Sequence, residues 1–190
     1  MSYYKDQFEK QIKLIKNEKL AQWVRQSLGL APEYYFTGPA SSTGKYHPAC
    51  TIGPGGLVIH VKRAVYFADR FCSGLGVSER ERDQIISAVI LHDIAKTGRG
   101  TGSFADYENH PINAIKYFAE LPVQLWSDKD LEILSEDIQV ISGCVQHHMG
   151  LWTPASIKKE IGKYSVQELI VYMADYTSST KDLVSPVDGG

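Results

Sequence analysis

The sequence from residue 90 to residue 96 reads Ile90-Leu91-His92-Asp93-Ile94-Ala95-Lys96, with a histidine directly beside an aspartate after an apolar run. Neighbouring residues of a helix point about 100° apart. His92 and Asp93 can therefore approach one metal ion from two directions, or the carboxylate can reach a second ion. Lys96 follows Asp93 by three residues, so these side chains can share one helix face. An exposed polar step or a buried structural histidine would give the same pair, so the rest of the chain has to decide.

Length and composition favour one globular domain. The 190 residues are 43% hydrophobic and 22% charged, and a chain of this length buries roughly two-thirds of its unfolded surface. A net charge of −2 and a pI of about 6.3 exclude a global basic field for nucleic acid, but leave a local basic pocket open. Three dispersed cysteines without a CxxC motif favour a reducing cytoplasm. No apolar run approaches the ~20 residues that span a membrane.

The pattern of apolar residues predicts helices and no strand pair, so the expected fold is all-α. The first helix is expected over residues 4 to 28, with a stop at Gly29, and the second over residues 57 to 72. A capping box at Ser78-Glu79-Arg80-Glu81 begins the helix that runs to the His92-Asp93 pair. This third helix is apolar nearly all round, so it should be central.

Three more helices follow in the pattern. They are expected over residues 109–121, over residues 127–148, and from a second capping box at Ser165–Glu168 through Asp175. Residues 30–56 form a long loop rich in glycine and proline, and its aromatic residues favour an ordered loop. The segment after Thr180 is expected to be loosely held.

Histidines and aspartates recur beside apolar helical positions along the whole chain. In chain order they are His60, His92, Asp93, His110, His147, His148 and Asp175. Burying a lone carboxylate is unfavourable unless it is paired or binds a metal. Imidazoles and carboxylates from separate helices are a common way to hold one or two divalent ions in a bundle. Each residue also has an ordinary explanation, such as capping for His148 or a surface acid for Asp175, but the set together favours a metal site.

In this order and helical context the residues resemble the HD-domain superfamily of metal-dependent phosphohydrolases. The resemblance covers roughly residues 45 to 182, and Lys96 and the segment Gly55-Gly56-Leu57-Val58-Ile59-His60 strengthen it. It implies an HD-domain helical bundle with a five-helix core, here with an additional N-terminal helix. The expected organisation is an N-terminal helix over residues 1–29, an HD domain over residues 30–182 and a loose tail over residues 183–190.

The resemblance also implies a ligand set. A first metal would be held by His60, His92, Asp93 and Asp175. A second metal, bridged by Asp93, would be held by His110 and one of the His147-His148 pair, with His147 preferred. The expected cofactors are one or two divalent transition metals (Mn, Fe, Ni, Co or Zn), with Mg possible. Two such ions about 3.5–4 Å apart polarise a phosphoryl oxygen and lower the pKa of a bridging water.

Other polar residues are assigned to catalysis and substrate binding. Asp93, Lys96 and His148 are the expected catalytic residues: Lys96 would steady a phosphate oxygen, and His148 would orient a ligand or donate a proton. The expected substrate-binding residues are Lys45, Tyr46, Lys96 and Arg99, with His47 on the same loop. Lys96 could instead satisfy helix carbonyls, and residues 45–47 could be an ordinary surface loop. For Arg63 and Arg99 a solvated surface position is the simpler interpretation.

The expected function is hydrolysis of a phosphate ester, a nucleotide or another small phosphorylated molecule, by a metal-activated hydroxide. Three alternatives stay open: an HD-fold di-iron oxygenase, an exonuclease or phosphodiesterase acting on nucleic acid, and a binding module without turnover. Residues 149–154 read Met-Gly-Leu-Trp-Thr-Pro, where related cyclic dinucleotide phosphodiesterases carry Gly-Tyr-Pro, which weighs against that specificity. A small phosphorylated partner is expected, nucleic acid is not favoured, and oligomeric state does not follow from these residues.

Overall fold

The fold is all-α, as the sequence predicts. The computed structural model describes residues 6–41, 43–97, 109–125 and 128–188, and these ranges contain helices and no β-strand. The α-helices are α1 (Glu9–Ile12), α2 (Glu18–Gly29), α3 (Tyr34–Thr37), α4 (Gly56–Leu75), α5 (Glu79–Leu91), α6 (His110–Leu125), α7 (Asp128–His147) and α8 (Val166–Ser178). Short 3₁₀ helices occupy Asp6–Phe8, Ala49–Thr51, Gly150–Trp152 and Ile161–Lys163. Within the described ranges, every helix is too short or too polar to cross a membrane.

The five long helices α4 to α8 form a bundle around α5. Helix α5 packs against α4, α7 and α8, and every residue from Asp83 to Leu91 is buried. Its central position follows from its all-round apolarity, since no face of such a helix is suited to water. Helix α4 also packs along α8, and α6 packs along α7. The five-helix core therefore agrees with the expected bundle.

Both predicted capping boxes are formed. The Ser78 hydroxyl accepts from the Glu81 backbone N–H, and the Glu81 carboxylate accepts from the Ser78 backbone N–H, at the start of α5. Ser165 and Glu168 make the same reciprocal pair at the start of α8. Because all partners lie within four residues, the local sequence is sufficient to place these helix starts.

The prediction of one helix over residues 4–28 is wrong. Helix α1 ends at Ile12 and α2 begins at Glu18, and the chain turns between them. The side chain of Asn17 caps α2, and the two carboxylate oxygens of Asp83 accept from the backbone N–H groups of Lys16 at 2.9 Å and Asn17 at 2.8 Å. Asp83 lies 66 residues further along the chain than Asn17. The apolar spacing of residues 4–28 therefore carries no sign of the break.

Replacing Asp83 with alanine is expected to lower the free energy of unfolding by about 2–3 kcal/mol, because two backbone donors lose a charged acceptor. Asp83→Asn retains one acceptor oxygen and should lower it less. Urea titration of the three proteins measures the difference. Equal midpoints and slopes for Asp83→Ala and the wild type would contradict this account of the break.

Residues 30–56 are largely ordered, as their aromatic content predicts. Tyr35 and Phe36 are buried in the core. The Tyr34 hydroxyl donates to the carbonyl of Ile94 at 3.1 Å and accepts from the Thr97 N–H at 3.1 Å, which ties the loop to the turn after α5. At the end of the loop, a Cβ on Gly56 would lie 2.1 Å from the Thr51 carbonyl oxygen, so only glycine fits at the start of α4.

The segment after Thr180 is held more firmly than the sequence suggests. Arg63 of α4 is fully buried rather than solvated. Its Nη2 donates to the Leu183 carbonyl at 2.8 Å, and its Nη1 forms an ion pair with Asp188. Ser185 is also buried. The expected loose tail and the expected surface position of Arg63 are both corrected, since a buried guanidinium needs these acceptors.

Candidate metal centre

Five separate segments bring imidazoles and carboxylates to one place. Helix α4 contributes His60, the turn directly after α5 contributes His92 and Asp93, and α6 begins at His110. His148 follows the last residue of α7, and Asp175 lies near the end of α8. Their ligand atoms form three overlapping groups, each within 4.8 Å: His60-His92-Asp93, His92-His148-Asp175, and Asp93-His110-His148. Apart from Asp175, whose side chain is 23% exposed, these residues are buried.

The first half of the cluster is centred on the Nε2 atoms of His60 and His92. These two atoms are 3.3 Å apart. Oδ1 of Asp175 lies 3.0 Å from Nε2 of His60 and 3.5 Å from Nε2 of His92. Oδ2 of Asp93 lies 3.7 Å and 3.4 Å from the same two nitrogens. Two nitrogens and two carboxylate oxygens therefore converge on one small volume.

The second half of the cluster lies on the other side of the Asp93 carboxylate. Oδ1 of Asp93 is 3.2 Å from Nε2 of His110 and 3.9 Å from Nε2 of His148. The two imidazole nitrogens are 2.9 Å apart. Since the two oxygens of Asp93 face different halves, this carboxylate has the geometry of a bridging group.

The outer nitrogens of the imidazoles fix which atoms face the cluster. Nδ1 of His92 lies 2.7 Å from the Val89 carbonyl, and Nδ1 of His148 lies 2.6 Å from the Val145 carbonyl. A carbonyl can only accept, so each Nδ1 must carry the hydrogen. A neutral ring then presents the lone pair of Nε2 to the cluster, as metal-ligating histidines do.

In His60, too, Nδ1 carries the hydrogen and Nε2 faces the cluster, because a serine oxygen accepts from Nδ1. The Ser178 hydroxyl donates to the Asp175 carbonyl at 2.7 Å, so its oxygen accepts from Nδ1 of His60 at 3.0 Å. The Nε2 atoms of neighbouring imidazoles lie 2.9 Å and 3.3 Å apart, so a divalent cation among them would be within reach of several nitrogens. The donor set of nitrogens and carboxylate oxygens therefore fits the expected transition metals.

The charges of the two cluster carboxylates are strongly stabilised. Burial raises the pKa of Asp93, but Lys96, His92 and His110 outweigh it and hold this pKa well below its usual range. Nζ of Lys96 lies 2.5 Å from Oδ2 of Asp93. Burial likewise opposes ionisation of Asp175, while His60 and His92 hold its pKa well below the usual range. Both side chains are therefore anionic at neutral pH.

The histidines differ in protonation. Burial lowers the pKa of His60 and lowers that of His148 to about 3, so both rings are neutral. Burial also disfavours the charged form of His92, but Asp93 and Asp175 outweigh it and raise the pKa to about 10. One proton therefore partly balances the two carboxylates. A divalent cation would take over this balancing role, since it binds deprotonated imidazole.

A cavity of about 610 Å³ opens onto the cluster. Its buried lining includes Asp93, Lys96, His110 and His148. Aromatic residues form another part of the lining: Tyr46, Trp152, Tyr172 and Tyr176. Tyr46, Trp152 and Tyr176 are 57–67% exposed, so they stand at the mouth. The size lies within the range of small-molecule sites.

The structure places His148, and not His147, in the cluster. Nδ1 of His147 instead contacts Oε1 of Glu168 at 2.7 Å, and its Nε2 lies 3.2 Å from the Ile157 carbonyl. The structure therefore does not bring His147, the member of the pair that the resemblance favours, to the cluster. Adjacent residues at a helix end point about 100° apart, so only one of the pair can face inward. The apolar stripe of α7 continues from Ile141 through Val145 to position 148, and this spacing could have indicated His148.

Some of the remaining predicted residues line the cavity, and others do not. Lys45 and Tyr46 line the cavity, with Nζ of Lys45 5.1 Å from the centre of the Tyr46 ring. His47 also lines it; burial lowers its pKa to about 4, and its Nε2 lies 3.2 Å from the Ser179 hydroxyl. Arg99 lies outside the described residues. Arg63 serves the C-terminal segment and does not line the cavity.

Comparison with known proteins agrees with this arrangement. No curated protein and no solved structure matches the chain. The family model described as the HD domain matches residues 57–180, which run from the first turn of α4 to just past α8 and include every residue of the cluster. This match extends over more than half of the sequence. The chain therefore belongs to the HD domain family, which implies a metal-dependent hydrolase.

Proposed function

We propose that the protein is a metal-dependent phosphohydrolase whose substrate is a nucleotide or another small phosphorylated molecule. The observation that carries the proposal is the position of the Asp93 carboxylate. Its two oxygens face two separate groups of imidazole nitrogens, and the Lys96 amine lies beside it at the buried end of a cavity. That combination suits a phosphoryl group, because metal ions and a positioned amine can stabilise the negative charge on its oxygens.

His60, His92, Asp93 and Asp175 would hold a first ion, and Asp93, His110 and His148 a second. When bound, such ions supply Lewis acidity, which lowers the pKa of water and polarises a phosphoryl oxygen.

The chain's own residues bind and orient the ester. Lys96 is 7% exposed and in contact with the cavity, so its ammonium can donate to a non-bridging phosphate oxygen as charge develops there. Its ion pair with Asp93 directs the amine at the cluster. Lys45, near the mouth, adds a second cation that draws anionic substrates towards the cavity.

The aromatic lining supports a substrate that carries a planar ring. Tyr46, Trp152 and Tyr176 stand exposed at the mouth, where a water-filled site for inorganic phosphate alone would need no such surface. A nucleobase stacked on one aromatic side chain gains about 1–3 kcal/mol. We therefore place the phosphate at the cluster and the base at the mouth.

The test is a substrate panel on protein stripped of metal and reloaded separately with Mn²⁺, Co²⁺, Ni²⁺, Mg²⁺ or, without air, Fe²⁺. The panel contains nucleoside mono-, di- and triphosphates, simple phosphomonoesters and phosphodiesters, and a labelled oligonucleotide. Metal-dependent release of phosphate from a small ester supports the proposal. Cleavage of the oligonucleotide alone would favour the nucleic-acid alternative. No hydrolysis, with tightly held iron and an oxygen-sensitive spectrum, would favour the oxygenase.

His148→Gln and His147→Gln should separate the two members of the histidine pair. We expect His148→Gln to weaken metal binding by about 10-fold or more, because it removes a nitrogen that faces Asp93 and His110. His147→Gln should change metal affinity by less than about threefold and act on stability instead, since outer groups that do not touch a ligand contribute little to affinity. Isothermal titration with Mn²⁺ measures the metal affinity of both variants. The reverse order of effects would return the ligand role to His147.

A further inference from the structure

Helices α4 and α8 meet through two matched pairs of side chains. His60 and Arg63 lie three residues apart on α4, and Asp175 and Ser178 lie three residues apart on α8, so each pair occupies one helix face. Nδ1 of His60 contacts the Ser178 hydroxyl at 3.0 Å, and Nε of Arg63 donates to the Ser178 carbonyl at 3.0 Å. Ser178 therefore links the buried arginine to a predicted metal ligand.

Arg63 obtains most of its acceptors because the chain after α8 folds back over it. The side chain is fully buried, and a buried guanidinium is unfavourable unless acceptors surround it. Besides Ser178, its acceptors are the carbonyls of Thr180 at 3.4 Å and Leu183 at 2.8 Å and the carboxylate of Asp188. The carbonyls at the end of a helix lack partners within the helix and favour a cation. Arg63 thus holds the last turn of α8 and residues 180–188 in one arrangement.

The same arrangement reaches the cavity. Ser179 contacts Nε2 of His47 at 3.2 Å, and Ser179, Thr180 and Lys181 line the cavity. A shift of the last turn of α8 would move the Ser178 hydroxyl away from Nδ1 of His60. It would also move the part of the cavity wall that residues 179–181 form. The tautomer and orientation of His60 therefore depend on Arg63, whose guanidinium contacts Ser178 rather than the cluster itself.

We propose that Arg63 is a positioning residue for the metal centre, which acts through Ser178 to orient His60 and through residues 179–181 to set one wall of the cavity. The proposal rests on the proposed function, since it assumes that Nε2 of His60 binds a metal. Its rival is a purely structural role, in which Arg63 only anchors the C-terminal segment. The two differ in what happens to metal binding when the protein remains folded.

The first test compares Arg63→Met with Arg82→Met. Arg82 is a matched control, because it also joins a carbonyl (Leu14) to an aspartate (Asp69) but lies away from the cluster. Metal-free proteins are titrated with Co²⁺, whose visible absorption reports ligand geometry. We expect Arg63→Met to lower Co²⁺ affinity by about 10–100-fold, as loss of an outer partner of a ligand does, and to alter the spectrum. Arg82→Met should lose thermal stability but bind Co²⁺ as the wild type does.

Arg63→Lys should restore part of the affinity, because one amine can donate to the Ser178 carbonyl but cannot span the other acceptors. Ser178→Ala removes the acceptor for His60, together with the hydrogen bond that this hydroxyl donates to the Asp175 carbonyl, and should weaken Co²⁺ binding about 10-fold. Ser73→Ala is its control, since the Ser73 hydroxyl also donates to a carbonyl of its own helix, that of Asp69, on the exposed side of α4.

Two outcomes overturn the proposal. One is a folded Arg63→Met protein that binds Co²⁺ within about twofold of the wild type and gives the wild-type spectrum. Such a change is smaller than the loss of affinity expected when a residue that positions a metal ligand is removed. The other is unchanged binding by Ser178→Ala, which decides alone if Arg63→Met does not fold. A wild-type chain that binds no Co²⁺ would instead overturn the proposed metal centre, so the two failures are distinguishable.

Discussion

Asp93→Asn is expected to lower metal-dependent phosphate release by about 10³-fold or more, because several kcal/mol of stabilisation are lost and each 1.36 kcal/mol is tenfold in rate. One oxygen of Asp93 faces His110 and the other faces His92 and Lys96. An amide has no charge and offers an N–H₂ group where one of these oxygens stood, so it cannot serve both halves. The initial rate of phosphate release at saturating metal is the measurement.

Asp137→Asn is the matched control for this substitution. Asp137 is also a buried aspartate, 4% exposed, but it accepts from Arg80 and Gln84 away from the cluster. Its replacement should affect stability and leave phosphate release within about threefold of the wild type, as expected for a site distant from the chemistry. Retention of more than about a tenth of the activity by Asp93→Asn, a loss below 1.4 kcal/mol, would contradict a bridging role.

Removal of metal by a chelator is expected to lower the melting temperature by roughly 5–11 °C compared with protein at 100 times the dissociation constant of the metal. Binding at that concentration stabilises the native state by about 2.7 kcal/mol, and each kcal/mol shifts a chain of this size by about 2–4 °C. The physical reason is that two carboxylates and several imidazole nitrogens lie close together in the cluster, where a bound cation would interact favourably with all of them. Differential scanning calorimetry with and without Mn²⁺ measures the shift.

The chelated protein should keep its helical circular dichroism below the transition, since the apolar core is continuous from Phe8 to Ala174 without the cluster. Asp93→Asn should show little further loss on chelation, because its metal binding is already impaired. A wild-type melting temperature that does not respond to any of the five metals would remove the basis of the proposed function.

Much of the site was predictable from the chain. The order of His60, His92, Asp93, His110 and Asp175 identified the residues that the structure brings together, because each stands at an apolar helical position that must face the interior. The preference for His147 differs from the geometry of the cluster, whereas the spacing of Ile141 and Val145 indicates position 148. The capping box predicts a local role for Glu168, which also contacts His147 at 2.7 Å.

Other features depended on partners distant in sequence. The break before α2 is fixed by Asp83, and the C-terminal segment is fixed by Arg63, which lies more than 110 residues before its acceptors. No local pattern encodes such contacts, since they exist only when α4, α5 and α8 are already packed. The cavity and its aromatic mouth likewise depend on segments far apart in the chain, since the lining comes from residues 45–47, the turn after α5, the segment after α7 and the end of α8.

The sequence by itself determined the helical class, the starts of α5 and α8 and the identity of most cluster residues, because helix caps and apolar periodicity act over a few residues. Tertiary structure decided which histidine of a neighbouring pair enters the cluster, which nitrogen of each ring faces inward and where the buried arginine finds its acceptors. These choices are made by hydrogen bonds and charges between segments far apart in the chain, and only the packed bundle brings those segments together.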